Sequence, residues 1–135
     1  QYGELDYRPL GAARYPLFAV KTDGWSKERP LVVVTGGVHG YETSGIHGAL
    51  RFVSHHMQSY TGKANVLVLP CVSPWGYETI NRWTPNAVDP NRQFTPDAAP
   101  GCDEARQAMA CVLAHAAESS GVLMHMDLHE TTDTD

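Results

Sequence analysis

The sequence predicts an α/β domain built on a mainly parallel or mixed sheet flanked by helices. Two observations carry that reading. Leu31-Val32-Val33-Val34 and Asn65-Val66-Leu67-Val68-Leu69 are apolar runs without the alternation of a half-exposed strand, as expected of strands covered on both faces. Segments of helical period lie between and after them, so that strands and helices alternate along the chain.

Residues 1–13 carry Pro and Gly without a clear period and read as an irregular lead-in. Tyr15 to Val20 is a short stretch of β-formers, an early or edge strand, since Pro16 disfavours a central position. Polar turn material from Thr22 to Pro30 feeds the strand beginning at Leu31. Gly36 and Gly37 end that strand. Ile46, Leu50, Val53 and Met57 then recur at helical spacing, predicting a helix over about residues 42–59 with one buried face and Thr43 or Ser44 as its cap. Thr61-Gly62-Lys63 breaks it, and the second strand runs from Asn65 to Pro70. This is one βαβ unit, with a right-handed crossover expected. Residues 71–101 read as a long functional loop. A second helix is predicted from Asp103 to about Ser119, with Ala105, Met109, Val112, Leu113 and Ala116 on one face. A third strand, Val122 to Leu128, follows Gly121.

With 135 residues the chain has room for one domain. A formal charge of −5 without a Lys/Arg cluster excludes nucleic acid and anionic membranes as expected partners. No apolar run reaches the roughly 18 residues of a membrane span. Cys71, Cys102 and Cys111 are an odd count without a C-x-x-C pair, which fits bystander cysteines in a reducing compartment and makes the cytoplasm the expected location. Export stays open, since Gln1 is not an initiating methionine.

The chemistry concentrates at two strand ends. His39 and Glu42 lie in the turn after the first buried strand, and His129 follows the third. Open α/β sheets bind ligands at the carboxyl ends of their strands, and parallel strands bring two such ends to one edge. Two imidazoles and a carboxylate form the open ligand set of a catalytic zinc site. Arg82 and Arg92 in the long loop are permanent cations that can grip a carboxylate, or face a carbonyl and stabilise a developing oxyanion. Asn91 can add an amide donor. Asp89 can accept from the free ring nitrogen of a ligand histidine.

Gly37-Val38-His39-Gly40-Tyr41-Glu42, Ser73-Pro74-Trp75-Gly76-Tyr77-Glu78, Asp89-Pro90-Asn91-Arg92-Gln93-Phe94 and Asp127-Leu128-His129 resemble, in order, the motifs of zinc metallocarboxypeptidases of the carboxypeptidase A type. His-Gly-x-Glu and Asp-Leu-His-x-Thr-Thr are also similar to the aspartoacylase and succinylglutamate desuccinylase branch. The resemblance implies the zinc-carboxypeptidase-like (phosphorylase/hydrolase-like) fold and one zinc ion on His39, Glu42 and His129. It further implies Arg82 on the scissile carbonyl, Asn91 and Arg92 on the substrate carboxylate, and Asp89 bracing His39. The family's general-base glutamate lies on a strand well beyond the third ligand. Residues 1–135 are therefore expected to be a single α/β domain incomplete at its C-terminus. Glu130 is not expected to replace that base, because adjacent strand residues point to opposite faces. Hydrolysis of the C-terminal peptide bond is the leading expectation. An N-acyl amino acid deacylase on the same site is the second, and a non-catalytic zinc-dependent binder of carboxylate termini the third. Side-chain specificity and oligomeric state are not encoded in these motifs.

Overall fold

A computed structural model describes residues 1–95 and 99–131 of the chain. Its first element corrects the irregular lead-in expected at the N-terminus: β1 (Gly3–Asp6) pairs antiparallel with β2 (Arg14–Leu17). Leu5 and Leu17 are fully buried and Tyr7 nearly so, in a small cluster to which Tyr15 and Trp75 add their rings. Leu5 and Tyr7 stand two residues apart, the period of a strand, but three or four residues are too few for that period to be recognised. The single strand expected from Tyr15 to Val20 is in fact two. β2 ends at Leu17, and β3 (Val20–Lys21) joins a different sheet.

That second sheet has four strands in the order β3-β5-β4-β6, with β4 at Leu31–Gly36, β5 at Asn65–Leu69 and β6 at Val122–Leu128. β4 runs parallel to both β5 and β6, while β3 runs antiparallel to β5. The sheet is thus mixed, as the alternating pattern allowed.

Helices cover both faces. α1 (Thr43–His55) lies against Val34, Val66 and Val68 through Ala49, with Met57 completing the cluster from a 3-10 turn beyond the helix. α3 (Asp103–Ala117) covers Leu31, Val33, Leu67 and Leu69 through Ala108 and Cys111. Each fully buried Val or Leu stabilises by about 1.5–3 kcal/mol, so these two layers of contact hold the fold together. The buried stripes differ from those expected at two positions. Leu50 and Leu113 face solvent, and the smaller Ala49 and Ala108 take the contact, because a helix packed close to a sheet leaves space only for short side chains at its nearest approach.

The long loop also contains structure. α2 (Pro74–Thr79) starts with proline at a position where no N–H is needed and ends at Ile80 in the left-handed region, with φ 56°. A 3-10 turn spans Pro90–Arg92, with the Asn91 N–H capped by the Asp89 carboxylate. Helices of one or two turns are too short to show a period. Among the described residues no helix is long and apolar enough to cross a membrane.

β6 occupies an edge of the sheet, and its Val122, Leu123, Met124 and Met126 are all exposed. Its carboxyl end is nevertheless well seated. A Cβ on Gly45, in the first turn of α1, would stand 2.3 Å from the carbonyl oxygen of Leu128, so only glycine lets the helix touch the end of this strand.

Candidate metal centre

Gly36 of β4 lies opposite Leu128 of β6, so the segments that follow the two strands leave the sheet at the same edge. After β4 the chain turns through Gly37, with φ 60° in the region that favours glycine, and delivers His39 and Glu42. After β6 it delivers His129. Their ligand atoms all lie within 4.8 Å of one another. His39 and Glu42 are almost completely buried, whereas the His129 side chain is 31% accessible. The two imidazole rings meet edge to face at 5.1 Å.

Both rings present the same nitrogen inward. Nδ1 of His39 is 2.8 Å from Oε1 of Glu42, and Nδ1 of His129 is 2.7 Å from Oε2. Each ring is held from behind on Nε2, by Asp89 Oδ1 at 2.9 Å for His39 and by Asp127 Oδ2 at 2.8 Å for His129. An ionised carboxylate only accepts. A neutral imidazole has one N–H, so it can satisfy one of its two carboxylates and must turn a lone pair on the other. The centre is therefore short of positive charge by design. Either second protons on the rings or a cation among the two Nδ1 atoms and Glu42 meets that need. Two imidazoles and a carboxylate suit zinc, and backing carboxylates are the usual means of fixing the ligating tautomer. The residues present fit a divalent metal.

The surroundings keep Glu42 ionised. Burial opposes its charge, but the Glu130 backbone N–H at 2.9 Å and the two imidazoles outweigh that, holding its carboxyl below the ordinary range. Asp89 is lowered in the same way, against burial, by His39, the Asn91 N–H and Arg82. His129 is raised: burial disfavours its charge, but Glu42 and Asp127 favour it more strongly.

The loop cations stand at different distances. Arg82 lies 3.9 Å from Glu42, with Nη2 3.3 Å from Asp89 and Nη1 3.4 Å from the Tyr41 hydroxyl. These are long contacts, weak by geometry, so the guanidinium is near the centre without being locked. Asn91 is partly buried, Arg92 is exposed, and Arg92 pairs with no acid among the described residues. Asn91 also borders an apolar cavity of about 290 Å³ whose wall includes Phe94, Val112, Thr35, His125 and Asp127. Glu130 does not reach into the centre with its side chain, which instead accepts from Ser44 N–H and Oγ–H at 3.2 and 2.9 Å. It caps α1, the task expected of Thr43 or Ser44. Thr132, Asp133, Thr134 and Asp135 lie outside the described residues.

Three residues near the centre had no role assigned from sequence: Asp127, Thr35 and Tyr41. Asp127 and His129 share a strand face by their spacing of two, a signal available in the sequence. The other two are brought close by a neighbouring strand and by the loop.

An α/β sheet with two histidines and a glutamate gathered at its carboxyl edge defines a hydrolase fold of the zinc-carboxypeptidase kind. A profile of the succinylglutamate desuccinylase/aspartoacylase catalytic domain matches residues 28–134, and the chain belongs to that family. Among solved structures it resembles a candidate metallopeptidase from Shewanella amazonensis, at 26% identity and TM-score 0.74 over 92% of this chain and 51% of that one. A second candidate metallopeptidase, from Shewanella denitrificans, shares the fold at 24% identity and TM-score 0.66, with 87% of this chain and 42% of that one covered. An aspartoacylase family protein from Mesorhizobium loti does so at 22% identity and TM-score 0.62, over 87% and 35%. The chain thus spans about half the length, or less, of these three structures. No match was found among curated proteins.

Proposed function

We propose that residues 1–135 form one α/β unit that carries the metal-binding part of an amide hydrolase acting on N-acylated amino acids with a free carboxylate. One zinc ion would be held by His39, Glu42 and His129. The observation that supports this most is the inward Nδ1 pair around a buried, ionised Glu42, each ring backed by a carboxylate. When bound, zinc polarises a carbonyl and lowers the pKa of its water to about 7. Arg92, exposed and without an acidic partner among the described residues, binds the substrate carboxylate with Asn91 beside it. Arg82 turns from its long contacts toward the carbonyl oxygen and stabilises charge developing there. Asp89 keeps the His39 proton on Nε2.

A C-terminal peptide residue is itself an N-acyl amino acid whose acyl group is a peptide. Peptidase and deacylase readings therefore differ only in the size of the acyl group. Family membership favours the small acyl group, and the likeness to the Shewanella amazonensis protein favours the peptide. The test is metal analysis of the purified protein followed by parallel assays on acetylated and succinylated amino acids and on peptides with free or amidated C-termini. One zinc per chain and turnover lost on amidation are expected. A metal-free protein that takes up no zinc would refute the reading, and activity indifferent to amidation would refute the roles of Asn91 and Arg92.

A further inference from the structure

Behind His129 the hydrogen-bond chain does not stop at Asp127. Thr35 Oγ1, on the adjacent strand β4, is 2.7 Å from Asp127 Oδ1 and 2.8 Å from His125 Nε2. Thr35 is buried, while His125 and Asp127 are on the edge strand β6. The proton positions in this chain follow from donor arithmetic. Asp127 is acceptor-only, so the single Thr35 hydroxyl proton points at Oδ1. The Thr35 oxygen must then accept, which puts a proton on Nε2 of His125. With the ring neutral, Asp127 Oδ2 accepts from Nε2–H of His129, which leaves Nδ1 its lone pair for a cation beside Glu42. Four side chains from two strands thus share one polarity, directed at Asp127 from both sides.

We propose that Thr35 and His125 are positioning residues for the metal centre. They fix the rotamer of Asp127, and through it the tautomer and orientation of His129. The need for them follows from where His129 sits. His39 and its partner Asp89 are fixed by a buried turn and a capped loop, whereas Asp127 projects from an exposed edge strand, and its carboxylate is held from β4 by the Thr35 hydroxyl. One buried hydroxyl on the central strand supplies that restraint. The inference rests on the metal-centre reading above.

The test compares Thr35→Val, which removes the hydroxyl at nearly constant volume, with Thr35→Ser, which keeps it, and with His125→Phe. Zinc affinity of the purified chain is read by competition with a chromophoric chelator. The His129 tautomer of the metal-free protein is read from its imidazole ¹⁵N shifts at a pH where the ring is neutral. Losing a partner behind a ligand typically weakens metal binding about 10- to 100-fold; we expect roughly tenfold for Thr35→Val, less for His125→Phe, and recovery to within about threefold in Thr35→Ser. Thr35→Val should also raise the share of Nδ1–H tautomer at His129. Should Thr35→Val fold poorly, the exposed His125→Phe carries the test, since its substitution disturbs no buried packing. Wild-type affinity and tautomer in Thr35→Val and His125→Phe would overturn the bracket while leaving the metal centre standing. Absence of zinc binding by the wild type would overturn both.

Discussion

Asp89 Oδ1 stands 2.9 Å behind His39 Nε2, so Asp89→Asn puts a neutral amide where an ionised acceptor was, and zinc affinity measured by chelator competition should fall about 10- to 100-fold. The proposed ligands His39, Glu42 and His129 are legible because each follows a largely apolar strand and belongs to the small set of ligand types. Asp89 is legible because it precedes the Asn-Arg pair that completes its motif. Thr35 is not, since a threonine in a run of valines reads as one more β-branched residue. Its hydroxyl acquires a partner only when β6 is laid beside β4. Arg92→Ala removes a charge-assisted contact of about 1.5–3 kcal/mol. KM for substrates with a free carboxylate should therefore rise by one to two orders of magnitude in steady-state assays.

At the scale of elements, strands and long helices could be read from the sequence, and short elements could not. β4, β5 and β6 stand out as apolar runs and α1 and α3 span more than three turns, whereas β1 and β3 have four residues or fewer, α2 has fewer than two turns, and all three are held by contacts outside themselves. Caps were equally hidden, because the carboxylate over the first turn of α1 comes from Glu130, 86 residues away. Glu130→Ala should destabilise the fold by about 0.5–2 kcal/mol in urea denaturation, with Glu130→Gln closer to wild type. Gly45→Ala presses a methyl group onto the Leu128 carbonyl, and overpacking of this kind costs about 1–3 kcal/mol. The junction between α3 and the β1–β2 pair has its own pH signature. Burial raises the Glu104 carboxyl above its ordinary 4.5, although the Tyr7 hydroxyl donates to it. For an acid raised in the folded state, stability is fully present below 4.5 and declines as pH climbs toward the folded value. Subtracting the urea midpoints of Glu104→Gln from those of wild type across pH 4 to 8 should show that decline, and a pH-independent difference would refute it.

For the whole molecule, the three proposed ligands come from two segments that are nearest neighbours only in the folded state. Anything that binds the native centre and not the unfolded chain stabilises by mass action, about 2.7 kcal/mol at a hundredfold excess over Kd. Zinc should therefore raise the thermal midpoint in a concentration-dependent way, with a chelator reversing the shift. An unchanged midpoint at saturating zinc would argue against a native-state site. Glu42 and His129 are separated by 87 positions, so a single ion between them would close a large covalent-like loop in a chain whose cysteines are free. The entropy of such closure in the unfolded chain is of the order that a disulfide removes, about 4–5 kcal/mol for a loop near 100 residues. By that measure the ion would act as a reversible staple, fastening the exposed edge strand to the central one. Its withdrawal would loosen β6 first, so hydrogen exchange at Val122 to Leu128 should report metal loss before any other strand responds.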